Sequence, residues 1–227
     1  MKPQKGDTRM EMITSTAEDY LKVIWSALEW GGVPATVKQL ADRFGTTPAA
    51  ASNTVKRLVG QGLLVHEPYG PILLTPTGER LAVMMVRRHR LLETYLVDQL
   101  GYSWDEVHDE AENLEHAVSD LMIDRIDDLL GNPLVDPHGD PIPTKAGHVT
   151  YPAGAQRVST AEPGEYLVTR ICDDSSELLE WFDSTGIGTG ARLTVTQRLD
   201  VSTRVVINGQ EVHIPLEAGD AIVVLKS

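Results

Sequence analysis

Val37-Lys38-Gln39-Leu40-Ala41-Asp42-Arg43-Phe44-Gly45-Thr46-Thr47-Pro48 opens a run that closes on Leu63-Leu64-Val65-His66-Glu67-Pro68-Tyr69-Gly70-Pro71-Ile72-Leu73-Leu74. Val37, Leu40, Ala41 and Phe44 recur at helical spacing and stop at Gly45. Thr46 and Thr47 precede Pro48, which suits the first turn of a second helix reaching about Gly60. Helix, tight turn and helix is the spacing of a helix-turn-helix. The closing stretch reads strand, turn, strand, a hairpin of the wing type. Two helices around a turn occur in many small domains; a hairpin at this distance points to a winged helix-turn-helix. Upstream, Tyr20, Val23, Ile24, Ala27 and Leu28 predict a helix capped at Thr16 and ended by Gly31, Gly32 and Pro34.

In that frame Pro48 to Gly60 would be the recognition helix of a DNA-binding domain. Thr47, Ala49, Ala50, Ser52 and Asn53 lie toward its N-terminal end, where base edges are reached. Asn53 suits an adenine edge, and the methyls of Thr47 and Ala49 suit thymine. Lys38, Arg43, Lys56 and Arg57 suit phosphates, the sequence-blind part of affinity. The bland reading of Lys56 and Arg57 is a solvated helix end.

Downstream, Pro76 to Leu130 predicts two long helices. The first carries Leu81, Met84, Met85, Leu91, Leu92, Tyr95 and Leu96. Ser103 is placed to cap the second, which is apolar at Val107, Ala111, Leu114, Val118, Leu121, Met122 and Ile126. That is more apolar surface than one neighbour needs, so a helix–helix homodimer seam is expected. Gly131 to Glu162 is rich in Pro, Gly, Asp and His and reads as an irregular connector. From Gly164, five short strands follow, with Asn208-Gly209 as a type I′ hairpin signal. Five strands in about sixty residues suggest a small barrel. The expected class is mainly α with small β parts. The domains are placed at 1–75 (winged helix), 76–143 (helical), 144–162 (linker) and 163–227 (barrel).

The chain has 227 residues, ample for a buried core. Its single cysteine, Cys172, excludes a disulfide scaffold, a cysteine zinc finger and an iron–sulfur cluster. No apolar run approaches a membrane span, so a soluble, cytoplasmic protein with no membrane partner is expected. The net charge of −13 is unevenly spread. Residues 1–90 carry 12 Lys/Arg against 8 Asp/Glu; the remainder carries 8 against 25. The overall acidity therefore does not exclude a nucleic-acid face on the first part.

His89 and Glu93 are four residues apart and meet on one helix face. His108, Glu112, Glu115 and His116 recur at i, i+4, i+7 and i+8. Imidazoles and carboxylates in this pattern form a divalent-metal arrangement suited to Mn(II), Fe(II), Zn(II) or Ni(II), with no thiolate to favour a soft ion. A solvated acidic face accounts for Asp109 or Glu110 alone. Asp19, three residues after Thr16, also fits simple helix capping.

The chain resembles the diphtheria toxin repressor family of metal-dependent transcriptional regulators, and within it the manganese-sensing branch. The resemblance is carried by Glu18-Asp19-Tyr20-Leu21-Lys22-Val23-Ile24, Leu73-Leu74-Thr75-Pro76-Thr77-Gly78, Arg88-His89-Arg90-Leu91-Leu92-Glu93 and Val107-His108-Asp109-Glu110-Ala111-Glu112. Glu115-His116 and Asp136-Pro137-His138-Gly139-Asp140-Pro141-Ile142-Pro143 complete it. It covers nearly the whole chain, including an SH3-like C-terminal barrel. It implies an ancillary metal site of His89, Glu93 and His108, and a primary site of Asp19, Glu112, Glu115 and His116. The iron-sensing branch has methionine where Asp19 stands and cysteine where Glu112 stands; both are carboxylates here, as in manganese sensors. Shorter manganese sensors have glutamate where Lys22 stands, so two separated sites are expected instead of a metal pair. The barrel is expected to lend Asp174 and Glu177 to the ancillary site, with Asp173 or Glu180 as substitutes. Cys172 reads as a small buried residue. The implied function is a Mn(II)-activated repressor that binds operator DNA as a homodimer, or as two dimers. The alternatives are an Fe(II) sensor of the same family and, from other classes, a metal-dependent hydrolase or a metal buffer. No catalytic residue is assigned.

Overall fold

A computed structural model describes residues 13–29, 31–67, 70–104, 106–172 and 175–227. They form two units: residues up to Arg87 with Lys145–Gly147, and Arg88–Thr144 with His148–Ser227. Helix α4 (Pro76–Leu100) begins in the first and ends in the second.

In the first unit, α1 (Ser15–Glu29) starts two residues earlier than a Thr16 cap would allow. The cap is Thr14, whose hydroxyl accepts the Ala17 N–H at 3.3 Å. Asp19 therefore lies beyond the capping position. Thr36 and Gln39 form a capping box that opens α2 (Val37–Arg43). Thr47 caps α3 (Pro48–Gly60), with Pro48 in its first turn. Strands β1 (Leu64–His66) and β2 (Ile72–Leu74) pair antiparallel, Val65 opposite Leu73. Leu21 and Ile24 of α1, Leu40 of α2, Val55 and Leu58 of α3, and Ile72 of the hairpin share one apolar core. The helix-turn-helix and wing are thus as expected.

In the second unit the expected pair of long helices is three. After α4, the second long helix is divided into α5 (Val107–Glu115) and α6 (Asp120–Leu129). His116 ends α5, and the Ser119 hydroxyl accepts the Met122 N–H to cap α6. Ser103 does not cap α5; its own N–H donates to the Glu106 side chain at 3.2 Å. Leu91, Leu92, Leu96, Val107, Ala111, Ile123, Ile126 and Ile142 form the helical core.

The Gly131–Glu162 stretch is also corrected. Its first part is irregular, as read, but packed: Asp136, His138, Asp140 and Ile142 are buried, and Val135 bridges Pro141. Beyond it come β3 (Gln156–Arg157), a 3-10 turn at Val158–Thr160, and β4 (Gly164–Ile171). Then follow α7 (Ser176–Thr185), β5 (Arg192–Arg198), β6 (Ser202–Ile207), β7 (Gln210–Pro215), α8 (Leu216–Asp220) and β8 (Ile222–Lys226). The strands form one antiparallel sheet in the order β3-β8-β4-β5-β6-β7. Asn208 and Gly209 turn β6 into β7 with φ of 52° and 77°, as a type I′ turn requires. Helix α7 was not expected: Leu179 and Phe182 bury its inner face against the sheet core, with Val168, Ile171, Val195 and Val224. Among the described residues no helix is long and apolar enough to cross a membrane.

Candidate metal centre

Helix α4 brings His89 and Glu93 to one buried face, Glu93 fully so. The Nε2 of His89 lies 3.0 Å from Glu93 Oε1, and His108 Nδ1, on α5, lies 3.3 Å from the same oxygen. The two imidazoles approach edge to face, with His89 Nε2 3.2 Å from His108 Nδ1. The other ring nitrogen of His89 faces Glu115 Oε2 at 2.7 Å. A histidine ligand held by a carboxylate on its second nitrogen is a recurrent support of metal sites.

The loop after α6 supplies a second group. His138 is fully buried, and its Nε2 donates to the Trp104 carbonyl at 2.6 Å. A carbonyl can only accept, so in the neutral ring the proton sits on Nε2 and Nδ1 carries the lone pair. That Nδ1 stands 4.0 Å from Glu93 Oε2, two acceptors spaced for a cation between them. His89, Glu93 and His108 each offer a donor atom within 4.8 Å of the others, as do Glu93, Asp136 and His138. The donors are imidazole and carboxylate only, which fits Mn(II) or another borderline or hard divalent ion.

The expected ancillary residues His89, Glu93 and His108 are thus brought together, with Glu93 at their centre. Of the expected primary residues, Glu115 is fully buried, with Oε1 3.7 Å from His116 Nε2. Glu112 has its side chain 42% exposed and lies 3.4 Å from His108 Nε2. Asp19 is half-buried on α1 in the first unit. Glu177, expected to be lent to the ancillary site, is exposed in the first turn of α7. Asp174 and its substitute Asp173 lie outside the described residues; Glu180 is exposed on α7. Cys172 is half-buried. Sequence reasoning assigned no role to Asp136 or His138, although a histidine flanked by two aspartates two residues away on each side was a visible signal.

A charged clamp surrounds the second group. Arg90 Nε lies 3.5 Å from Asp136 Oδ2, its Nη2 3.5 Å from Asp140 Oδ2, and its Nη1 donates to the Pro141 carbonyl at 2.8 Å. Arg170, from β4, pairs with Asp140.

On the first unit, Ala51, Val55 and Leu58 bury one face of α3. Ala49, Ala50, Asn53, Lys56 and Arg57 are exposed and Ser52 is half-exposed; Thr47, Lys38 and Arg43 beside them are also exposed. The residues chosen for base and phosphate contact therefore occupy the solvent side of the helix-turn-helix.

A winged helix and a buried imidazole–carboxylate cluster in one chain define a metal-responsive DNA-binding protein. The model described as "Iron dependent repressor, N-terminal DNA binding domain" matches residues 12–72. The model described as "Iron dependent repressor, metal binding and dimerisation domain" matches 75–144. The iron-dependent repressor IdeR of Mycobacterium leprae is 32% identical over 96% of this chain and all of its own length. A solved manganese-dependent transcriptional repressor in complex with manganese is 46% identical, covering 93% of this chain and 100% of its own, at a TM-score of 0.87. The manganese regulator SloR is 31% identical over 95% of this chain and 100% of its own, at a TM-score of 0.82. The chain belongs to the diphtheria toxin repressor family of metal-dependent transcriptional repressors.

Proposed function

We propose that this chain is a Mn(II)-activated repressor that binds operator DNA as a homodimer, singly or as two dimers, and controls manganese homeostasis. The observation that carries the reading is Glu93, one buried carboxylate common to two donor groups that contain only imidazole and carboxylate. His89 and His108 on one side, and Asp136 and His138 on the other, would hold the ion. When bound, the ion supplies positive charge where buried carboxylates converge. Asp19, Glu112, Glu115 and His116 are carried as the primary ligands on the family resemblance. The similarity to manganese-dependent repressors supports Mn(II) over Fe(II). The dimer seam is placed on α6, where Leu121, Met122 and Leu129 are exposed opposite buried Ile123 and Ile126. The reading assigns no reaction to the chain, and its operator places it in the cytoplasm.

The test is duplex selection from a random library in Mn(II), followed by anisotropy titration of the selected duplex in Mn(II), Fe(II) and EDTA. Tight binding in Mn(II) that disappears in EDTA is expected. Equal binding in EDTA would overturn metal activation, and an equal response to Fe(II) would overturn the choice of metal.

A further inference from the structure

We propose that Arg170, on strand β4 of the sheet, is a positioning residue of the metal centre: it holds Asp140, and through Asp140 the loop that presents Asp136 and His138 to Glu93. The proposal rests on the metal reading of Glu93.

The sequence puts an arginine in a strand whose neighbours are core residues. A shift in the β4–β8 register between Val168 and Arg170 makes this possible. Such irregularities re-aim side chains. Val168 and Ile171 join the apolar core, whereas Arg170, also buried, pairs with Asp140. The second oxygen of Asp140 faces Arg90, and Arg90 reaches on to Asp136 and the Pro141 carbonyl. Two guanidinium groups and two carboxylates thus alternate from the sheet to α4. Inside the loop, Asp136 Oδ1 accepts the N–H groups of His138 and Asp140, both at 2.9 Å.

The backbone of the loop is fastened to the same strand. The Ile171 N–H donates to the His138 carbonyl at 2.8 Å. Gly139 sits at φ +84°, and a Cβ there would stand 2.0 Å from the Thr169 carbonyl oxygen, so only glycine allows this approach. His138 is therefore set by β4 on one side and by the Trp104 carbonyl on the other. A buried ion pair adds little net stability over a well-packed apolar filling. What alternating charges add here is direction: each end of the loop is drawn to a fixed point, and the Nδ1 of His138 is left facing Glu93.

The experiment uses the full chain and Mn(II) alone, with calorimetry and electron paramagnetic resonance on wild type, Arg170→Ala, Arg170→Lys and Glu93→Gln. Glu93→Gln should remove Mn(II) from this cluster. Arg170→Ala should weaken the same class of site by about 10- to 100-fold, the cost typical of an outer support, with other sites unchanged. Arg170→Lys, which keeps the charge but not the fork, should lose less. Unfolding in EDTA separates a structural role: lower stability with unchanged affinity per folded chain would overturn the proposal. So would full affinity in Arg170→Ala alongside loss in Glu93→Gln. An unchanged Glu93→Gln would instead overturn the metal reading itself. Should Arg170→Ala not fold, Arg170→Lys decides: affinity equal to wild type overturns the positioning role.

Discussion

His116 and His213 are the same side chain in opposite settings. His116 ends α5 with its Nε2 3.7 Å from the buried Glu115, whereas His213 stands on β7 with 52% of its side chain in solvent, near Glu211. A ligand role needs donors held by their surroundings; the carboxylate beside His116 is buried, whereas the one beside His213 is exposed. His116→Ala is expected to abolish Mn(II)-dependent operator binding, while His213→Ala stays within about twofold of wild type, less than half of the 1.4 kcal/mol that a tenfold change represents. Gel shift across a Mn(II) series checks both; retained Mn(II)-dependent binding in the His116 variant would remove it from the site. Glu115 is engaged at both oxygens: one serves His89 and the other faces His116.

Helix α3 divides its labour by face. Leu58 is fully buried in the winged-helix core, and Asn53 is exposed. Leu58→Ala should cost about 2–5 kcal/mol of stability through lost burial and a cavity. Asn53→Ala should leave the unfolding midpoint unchanged and cost about 1–3 kcal/mol in operator affinity, concentrated at one base pair. Chemical unfolding and anisotropy on mismatched duplexes separate the two; a uniform loss across all duplexes would remove Asn53 from base contact. This unit was legible because its signals are local: helical spacing, Thr-Pro starts and a hairpin next in sequence. The second unit was less so. The apolar rhythm from Val107 through Val118 to Ile126 runs unbroken across the α5–α6 junction, and periodicity alone does not register that Ser119 starts a new helix. The loop around His138 has the composition of a linker, and its burial comes from Arg90 and Arg170, partners remote in sequence. Helix α7 did leave a trace: Leu178, Leu179 and Phe182 fall at helical spacing after Ser175, whose hydroxyl accepts the Leu178 N–H.

Across the whole molecule, charge is unevenly divided along the chain. The basic excess of residues 1–90 is set against a strongly acidic remainder, so phosphates attract the first part and repel the rest, the more so at low salt. The exposed leucines of α6 lie in the acidic part. Leu121→Asp combined with Leu129→Asp should give monomers by sedimentation velocity and cost operator binding, with Mn(II) uptake at the Glu93 cluster retained. Dimers in that variant would move the seam elsewhere. Trp104 has a further consequence. Its carbonyl anchors His138, its indole ring lies 5.9 Å from that imidazole, and the same indole packs against the sheet core. Any change in the charge or placement of His138 alters the surroundings of this chromophore. One of the chain's four tryptophans lies beside the cluster, and with Trp25, Trp30 and Trp181 replaced by phenylalanine, Trp104 emission offers an optical gauge of that cluster in solution, with no label attached.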